Sequence, residues 1–238
     1  MISLINKTIM SLREKGIAET WLQMRGRLER PIRRYIDGRF DRVFGTDTSG
    51  VIELRHLTTT RDNTSECIWY QPVPETALRR ILQLLALDYN KYRFVDYGSG
   101  KGRALLIASQ HPFQEVIGVE FAPVLHEIAE KNIALFAAKG HSVAPIRSLM
   151  LDAVEFVLPP GPVVCFLFTP FKGEIMTRVL QHISDHARSH EVVLVYHGRL
   201  AENIAKFDAL GWARQEYPMP PNLLDVGKYR LLVYIPQR

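Results

Sequence analysis

Between residues 72 and 210 the chain alternates two hydrophobic patterns. Short apolar runs at 94–95, 116–119, 163–168 and 192–196, and the mixed run at 146–151, read as strands. Between them, apolar residues recur every third or fourth position. Leu78, Ile81, Leu82 and Leu85 form one such stripe, and Leu125, Ala129, Ile133 and Phe136 another. Met176, Val179, Leu180, Ile183 and Ala187 form a third, and Ile204, Phe207 and Leu210 a fourth. Each predicts an amphipathic helix. Pro74 with Glu75, and later Pro123, mark helix starts; Gly140 and Gly211 mark stops. The run 163–168 is apolar throughout, as a strand covered on both faces must be. Two further runs, 213–217 and 229–235, flank a proline-rich loop and predict a terminal hairpin. Strands alternating with helices predict an α/β fold with a doubly wound, mostly parallel sheet and a C-terminal antiparallel hairpin.

The first 71 residues follow a different pattern. Ile2, Ile5, Ile9 and Leu12, then Ile17, Trp21, Met24 and Leu28, recur at helical spacing among many arginines. This predicts a basic, amphipathic helical arm over 1–45. Its apolar stripe packs on the main domain, or it meets a membrane surface or a partner. Residues 46–71 are irregular, with a turn cluster at 46–50 and a short edge strand at 51–57. They are expected to wrap the main domain, residues 72–238, and to cover its site.

Composition narrows the class. Of 238 residues, 47% are apolar, enough for a substantial core. The two cysteines, Cys67 and Cys165, are far apart, the usage of a reduced protein rather than a disulfide scaffold. No apolar run reaches the ~18 residues that span a bilayer, and the N-terminus lacks the pattern of a signal peptide. A cytoplasmic protein is expected. The net charge of +5 permits acidic partners without requiring nucleic acid.

The chemistry concentrates at 94–120. Phe94 and Val95 lead to Asp96 at a strand tip, and Gly98, Gly100 and Gly102 follow at alternate positions. Glycines there admit positive φ and close approach of a ligand. A helix opens at Ala104, its free N–H groups facing the turn. The next strand closes on Glu120, and an acid at that tip of a βαβ unit typically accepts from ribose hydroxyls. The unit should hold a nucleoside. Arg103 stands where a dinucleotide fingerprint has its third glycine, and Lys101 is followed by Gly102 rather than the Ser or Thr of a P-loop.

The pattern Asp-x-Gly-x-Gly-x-Gly, with Glu120 one βα unit later, resembles the first motif of class I S-adenosylmethionine-dependent methyltransferases. The resemblance extends through FDRVFGTDTSG at 40–50, Tyr70-Gln71-Pro72, FVDYGSGKGRALL and VIGVEFAP, from about residue 40 to 200, to a bacterial group of that class. Its glycine motif is also similar to that of non-SET protein-lysine methyltransferases. The resemblance implies S-adenosyl-L-methionine as cofactor. The site then lies at the strand tips: Asp96, Tyr97, Gly98, Ser99, Gly100 and Gly102, then Glu120, Asp152, the stretch 169–171, and Tyr196 with His197. Asp96 would help hold the methionine end, Glu120 the ribose, Asp152 the adenine amino group and the Ala153 backbone a ring nitrogen. Phe121 would stack on adenine, and Tyr70 and Pro72 would lie near the cofactor. Asp152 alternatively reads as a helix cap.

Thr169, Pro170 and Phe171 occupy the fourth tip. Methyltransferases that act on nucleic-acid amines carry there an Asp or Asn, two prolines and an aromatic. This chain lacks the second proline and the amide or acid. Nucleic acid is therefore not the expected acceptor; a protein lysine or a small molecule is. Thr169 and Phe171 are the candidate acceptor-handling residues. Tyr70, Phe171 and Tyr196 are candidates for an apolar pocket that would favour a neutral amine. His197 is the candidate base, or else a loop histidine that moves no proton. His182, His186 and His190 share a helix face, read as an ordinary exposed face, and no metal is expected. Two other readings compete: a cofactor-binding partner subunit of weak or lost catalysis, and an NAD-dependent oxidoreductase.

Overall fold

The computed structural model describes residues 35, 38–52, 70–217 and 229–237. Most of the expected arm, the stretch 53–69 with Cys67, and the hairpin loop lie outside the described residues. Residues 38–44 are helical and lead into the turn at 45–50. Phe40 is buried from this segment, and Phe44 packs against Phe136 and His141 with ring centroids 5.1 Å apart in each case.

The main domain is built from helix α1 (Glu75–Leu85), strand β1 (Arg93–Tyr97), α2 (Arg103–Ala108), β2 (Glu115–Glu120), α3 (Pro123–Ala138), β3 (Ile146–Met150) and β4 (Val163–Leu167). Then come α4 (Gly173–Ala187), β5 (Val192–Gly198), α5 (Ala201–Asp208), β6 (Ala213–Tyr217) and β7 (Arg230–Ile235). The strands form one sheet in the order β3-β2-β1-β4-β5-β7-β6. The first five are mutually parallel, and β7 runs antiparallel to β5 and β6. This is the doubly wound sheet with a terminal hairpin that the hydrophobic pattern predicts.

Both faces of the sheet are covered. Val95, Cys165, Leu194 and their neighbours pack on α4 and α5. Phe94, Val164, Phe166 and Val195 pack on α1 and α2. All five residues of β4 are buried, so the strand is apolar on both faces. Each fully buried aliphatic side chain there contributes about 1.5–3 kcal/mol. Pro123 stands at the first turn of α3, where its missing N–H costs nothing.

One boundary departs from the sequence reading. The fifth strand was expected to end at residue 196; it runs to Gly198, because β7 pairs His197 with Leu231 and Gly198 with Arg230. His197 therefore lies inside the strand. Pairing across a sequence gap of more than 30 residues leaves no local pattern to read.

Candidate active site

The site is built at the carboxyl ends of β1 and β2. Gly98 and Ser99 both donate backbone N–H to the Val119 carbonyl, at 2.9 and 3.1 Å, which folds the glycine-rich turn across the tip of β2. Gly98, Gly100 and Gly102 all have positive φ. Their missing side chains also matter. A Cβ on Gly98 would lie 2.5 Å from Pro170 Cβ, and one on Gly100 would enter the Tyr70 ring. Gly102 then caps α2, whose six residues are all buried.

Two acids face this turn. Asp96 is buried, and among the described residues no group donates a hydrogen bond to its carboxylate. Burial, with the Glu120 charge beside it, pushes its pKa up to about 8. Glu120 is also buried, but Oε2 accepts from Gly100 N at 2.8 Å and Oε1 from Ala122 N at 2.9 Å. Burial raises its pKa, and the hydrogen bonds from Ala122, Gly100 and Phe121 pull the other way. With three backbone donors on its two oxygens, the Glu120 carboxylate retains capacity for a further donor.

Ser99 adds a buried hydroxyl without a hydrogen-bond partner among the described residues. A Cβ on Gly118 would come within 2.7 Å of that hydroxyl oxygen. Tyr97 turns the other way, into the core, its ring 5.8 Å from Phe156. Only its backbone can face the turn.

Tyr70 and Pro72 are buried, and Tyr70 lies against Gly100. Its hydroxyl donates to the Thr48 carbonyl at 2.6 Å, and Ile52 and Tyr70 form a two-bond antiparallel bridge. Phe121 is half-buried directly after Glu120. Asp152 accepts from Val154 N at 3.1 Å, a cap-like turn that buries Ala153.

At the fourth tip, Thr169 has φ 46°, the left-handed region, and its hydroxyl donates to the His197 carbonyl at 3.2 Å. Pro170 is the residue that abuts Gly98, so the fourth tip touches the glycine-rich turn. Phe171 is buried, and its carbonyl accepts from Asn203 at 2.9 Å. Tyr196 lies in the core under Phe207, 4.6 Å between centroids. His197 is buried, with Nδ1 3.3 Å from the Arg230 carbonyl. Its ring stacks on Phe168 and lies against Tyr229, at 5.2 and 5.4 Å. His197 shares a face with Phe168, whereas Tyr196 and Phe171 belong to the opposite core.

The segment expected to wrap the domain makes a second layer whose individual contacts the sequence did not disclose. Residues 41–49 form a strap against the glycine-rich turn. Asp41 accepts from Thr46, from Thr48 at both N and Oγ1, and from Ser49 N and Oγ. Burial works to raise its pKa, but the hydrogen bonds from Ser49, Thr48 and Thr46 prevail and hold it below the usual carboxylate range. Lys101 Nζ reaches Asp47 Oδ1 at 2.8 Å and the Ser49 carbonyl at 3.0 Å. Arg103 Nε donates to Thr48 Oγ1 at 2.7 Å. Asn132 accepts from Asp47 N and donates to the carbonyls of Asp47 and Lys101, all at 2.8–2.9 Å. One signal was available: Asn132 sits on the buried face of α3 with Leu125, Ala129 and Phe136, where a polar side chain needs a partner.

Among the described residues no group of three His, Cys, Asp or Glu could hold a metal, and no helix is long and apolar enough to cross a membrane. His186 and His190 pack ring to ring at 4.5 Å, with His186 Nε2 2.9 Å from the Gly161 carbonyl.

Comparison with solved structures places the fold. The tRNA (m1A58) methyltransferase TrmI of Aquifex aeolicus superposes over 71% of this chain and 72% of its own, with TM-score 0.52 and 14% identity. Magnesium protoporphyrin IX methyltransferase (ChlM) of Synechocystis PCC 6803, in a structure with bound SAM, covers 68% of this chain and 79% of its own, with TM-score 0.50 and 14% identity. The methyltransferase domain of bacterial CtHen1-CN covers 68% and 98%, with TM-score 0.50 and 11% identity. At such identities the likeness is one of fold. The chain has the class I, seven-stranded Rossmann-like methyltransferase fold. No family model and no curated protein matches its sequence.

Proposed function

We propose that the chain is an S-adenosylmethionine-dependent methyltransferase whose acceptor is a protein lysine or a small molecule. One observation carries the reading. Asp96 is a buried carboxylate without a hydrogen-bond partner among the described residues, beside a turn of three positive-φ glycines that Glu120 fastens from below. A buried acid that no described residue hydrogen-bonds is costly to ionise without a cationic partner. A ligand that brings an ammonium group and a ribose hydroxyl would satisfy it and use the remaining acceptor capacity of Glu120.

The residues fit the cofactor. Asp96 would meet its amino group and Glu120 its ribose. The glycine-rich turn would lie along it, and Phe121, Asp152 and Ala153 would take the adenine. When bound, the cofactor would supply an electrophilic sulfonium methyl group for in-line displacement by the acceptor, with the thioether as leaving group. The protein's task is alignment and exclusion of water. The fourth tip, packed on Gly98 through Pro170, is the place from which an acceptor would approach. His197 is held between aromatic rings and a backbone carbonyl. That setting suits a packing role better than proton transfer, so the acceptor is expected to arrive neutral or to lose its proton to water.

The test is transfer of label from methyl-labelled S-adenosylmethionine into a cell extract split into macromolecular and small-molecule fractions. Label in one fraction that depends on wild-type protein, and is lost with Asp96→Ala, supports the reading and names the acceptor class. Absence of transfer into either fraction counts against it.

A further inference from the structure

Resting on that reading of the glycine-rich turn, we infer that Arg103 is a positioning residue for the cofactor, acting through the strap at 41–49 and Tyr70. The path is a series of direct contacts. Arg103 is 2% exposed and opens α2 at the place where a third fingerprint glycine would stand. Its guanidinium donates to Thr48 Oγ1 at 2.7 Å, lies 3.8 Å from Asp41 Oδ2, and sits 5.3 Å from the centre of the Phe40 ring. Thr48 in turn offers its carbonyl to the Tyr70 hydroxyl at 2.6 Å. The Tyr70 ring occupies the space where a Gly100 side chain would be. Gly100 N then donates to Glu120. Arg103 thus reaches Glu120, the proposed ribose acid, through three residues, Thr48, Tyr70 and Gly100.

The strap cannot sit elsewhere without cost. Asp41 and Arg103 are both shielded from water, and separating them leaves buried charges uncompensated. Lys101 is 6% exposed and depends on the strap for the Asp47 carboxylate and the Ser49 carbonyl. Asn132 ties the same strap to α3 and to the Lys101 carbonyl. The strap and the glycine-rich turn therefore move as one unit. A ligand that orders Gly100 against Glu120 must also order Tyr70, Thr48 and the strap amides that Asp41 accepts.

The experiment pairs Arg103→Lys, Tyr70→Phe and the double variant, using S-adenosylhomocysteine as the probe. Lysine cannot reproduce the Nε donor to Thr48 beside Asp41. Phenylalanine keeps the ring on Gly100 and deletes only the hydroxyl, so it should fold. Each variant is expected to bind the probe about tenfold more weakly. The double variant should lose less than the product of the two, because both break one path. Hydrogen exchange supplies a readout that a purely structural role does not move: in the wild type the probe slows exchange of the Thr48 and Ser49 amides, and in Tyr70→Phe that protection shrinks. Wild-type affinity in both single variants, or strap amides that ignore the probe, overturns the inference while leaving the cofactor site standing. A wild type that does not bind the probe overturns both.

Discussion

Glu120 and Gly100 meet across 2.8 Å, the carboxylate Oε2 accepting the backbone N–H of the glycine. The second oxygen does the same for Ala122. One side chain therefore closes the turn after β1 and the turn after β2, and under the proposed function the same side chain would hold the ribose.

Removing that carboxylate should cost stability as well as binding. Glu120→Ala leaves two buried N–H groups without an acceptor, at about 1–3 kcal/mol each. Relief of a buried carboxylate offsets part of this. A net loss of about 2 kcal/mol is expected, a fall in melting temperature of roughly 4–8 °C for a chain of this size. Glu120→Gln keeps one acceptor and should fall less. Calorimetric melting of the three proteins checks the order.

Asp96 gives a pH dependence whose sign is fixed. Its folded pKa is raised from 3.8 to about 8, so between those values the folded chain holds more protons than the unfolded one. Stability from this group is complete below 3.8 and is lost as pH rises toward 8. Asp96→Asn should melt with the wild type near pH 4 and several degrees above it near pH 8.5. Ligand binding should run the opposite way. If the ionised carboxylate holds the cofactor amine, affinity for S-adenosylhomocysteine rises by up to about tenfold per pH unit below 8 and levels above it. The same titration on Asp96→Asn should be flat with respect to this group.

Thr169 is a β-branched residue at φ 46°. Such a residue in the left-handed region costs about 1 kcal/mol or more, and asparagine tolerates the region better. Thr169→Asn is expected to raise the melting temperature by roughly 2–4 °C. A fall of that size would show that the Thr169 hydroxyl bond to the His197 carbonyl outweighs the strain.

Gly98→Ala should fail for two reasons at once, φ 77° and a Cβ 2.5 Å from Pro170. Because Pro170 belongs to the fourth tip, the damage reaches both halves of the site. We expect a loss of about 2 kcal/mol or more, and loss of S-adenosylhomocysteine binding at concentrations that saturate the wild type.

Much of this was legible in the sequence, because it is local. The strands, the helices and the order of tips follow from apolar period and from glycine and proline punctuation. The turn at 98–102 declares itself by spacing, and Asp96 and Glu120 by standing at strand ends. What was not legible depends on distant pairing. The last two residues of β5 are strand only because β7 lies beside them. Tyr196 packs on Phe207 in the core, and only the folded chain shows that its ring also fills the space where a Gly198 side chain would be, next to Thr169. Lys101 and Arg103 read as breaks in two phosphate-loop patterns. Their role appears only when Asp41, Asp47 and Thr48, more than 50 residues away, are seen against them.

The most direct measurement is calorimetric titration of S-adenosylhomocysteine into the wild type, Asp96→Asn and Glu120→Ala. The account predicts saturable one-to-one binding by the wild type and at least a tenfold loss in each variant. No binding by the wild type, or equal binding by all three, would contradict it.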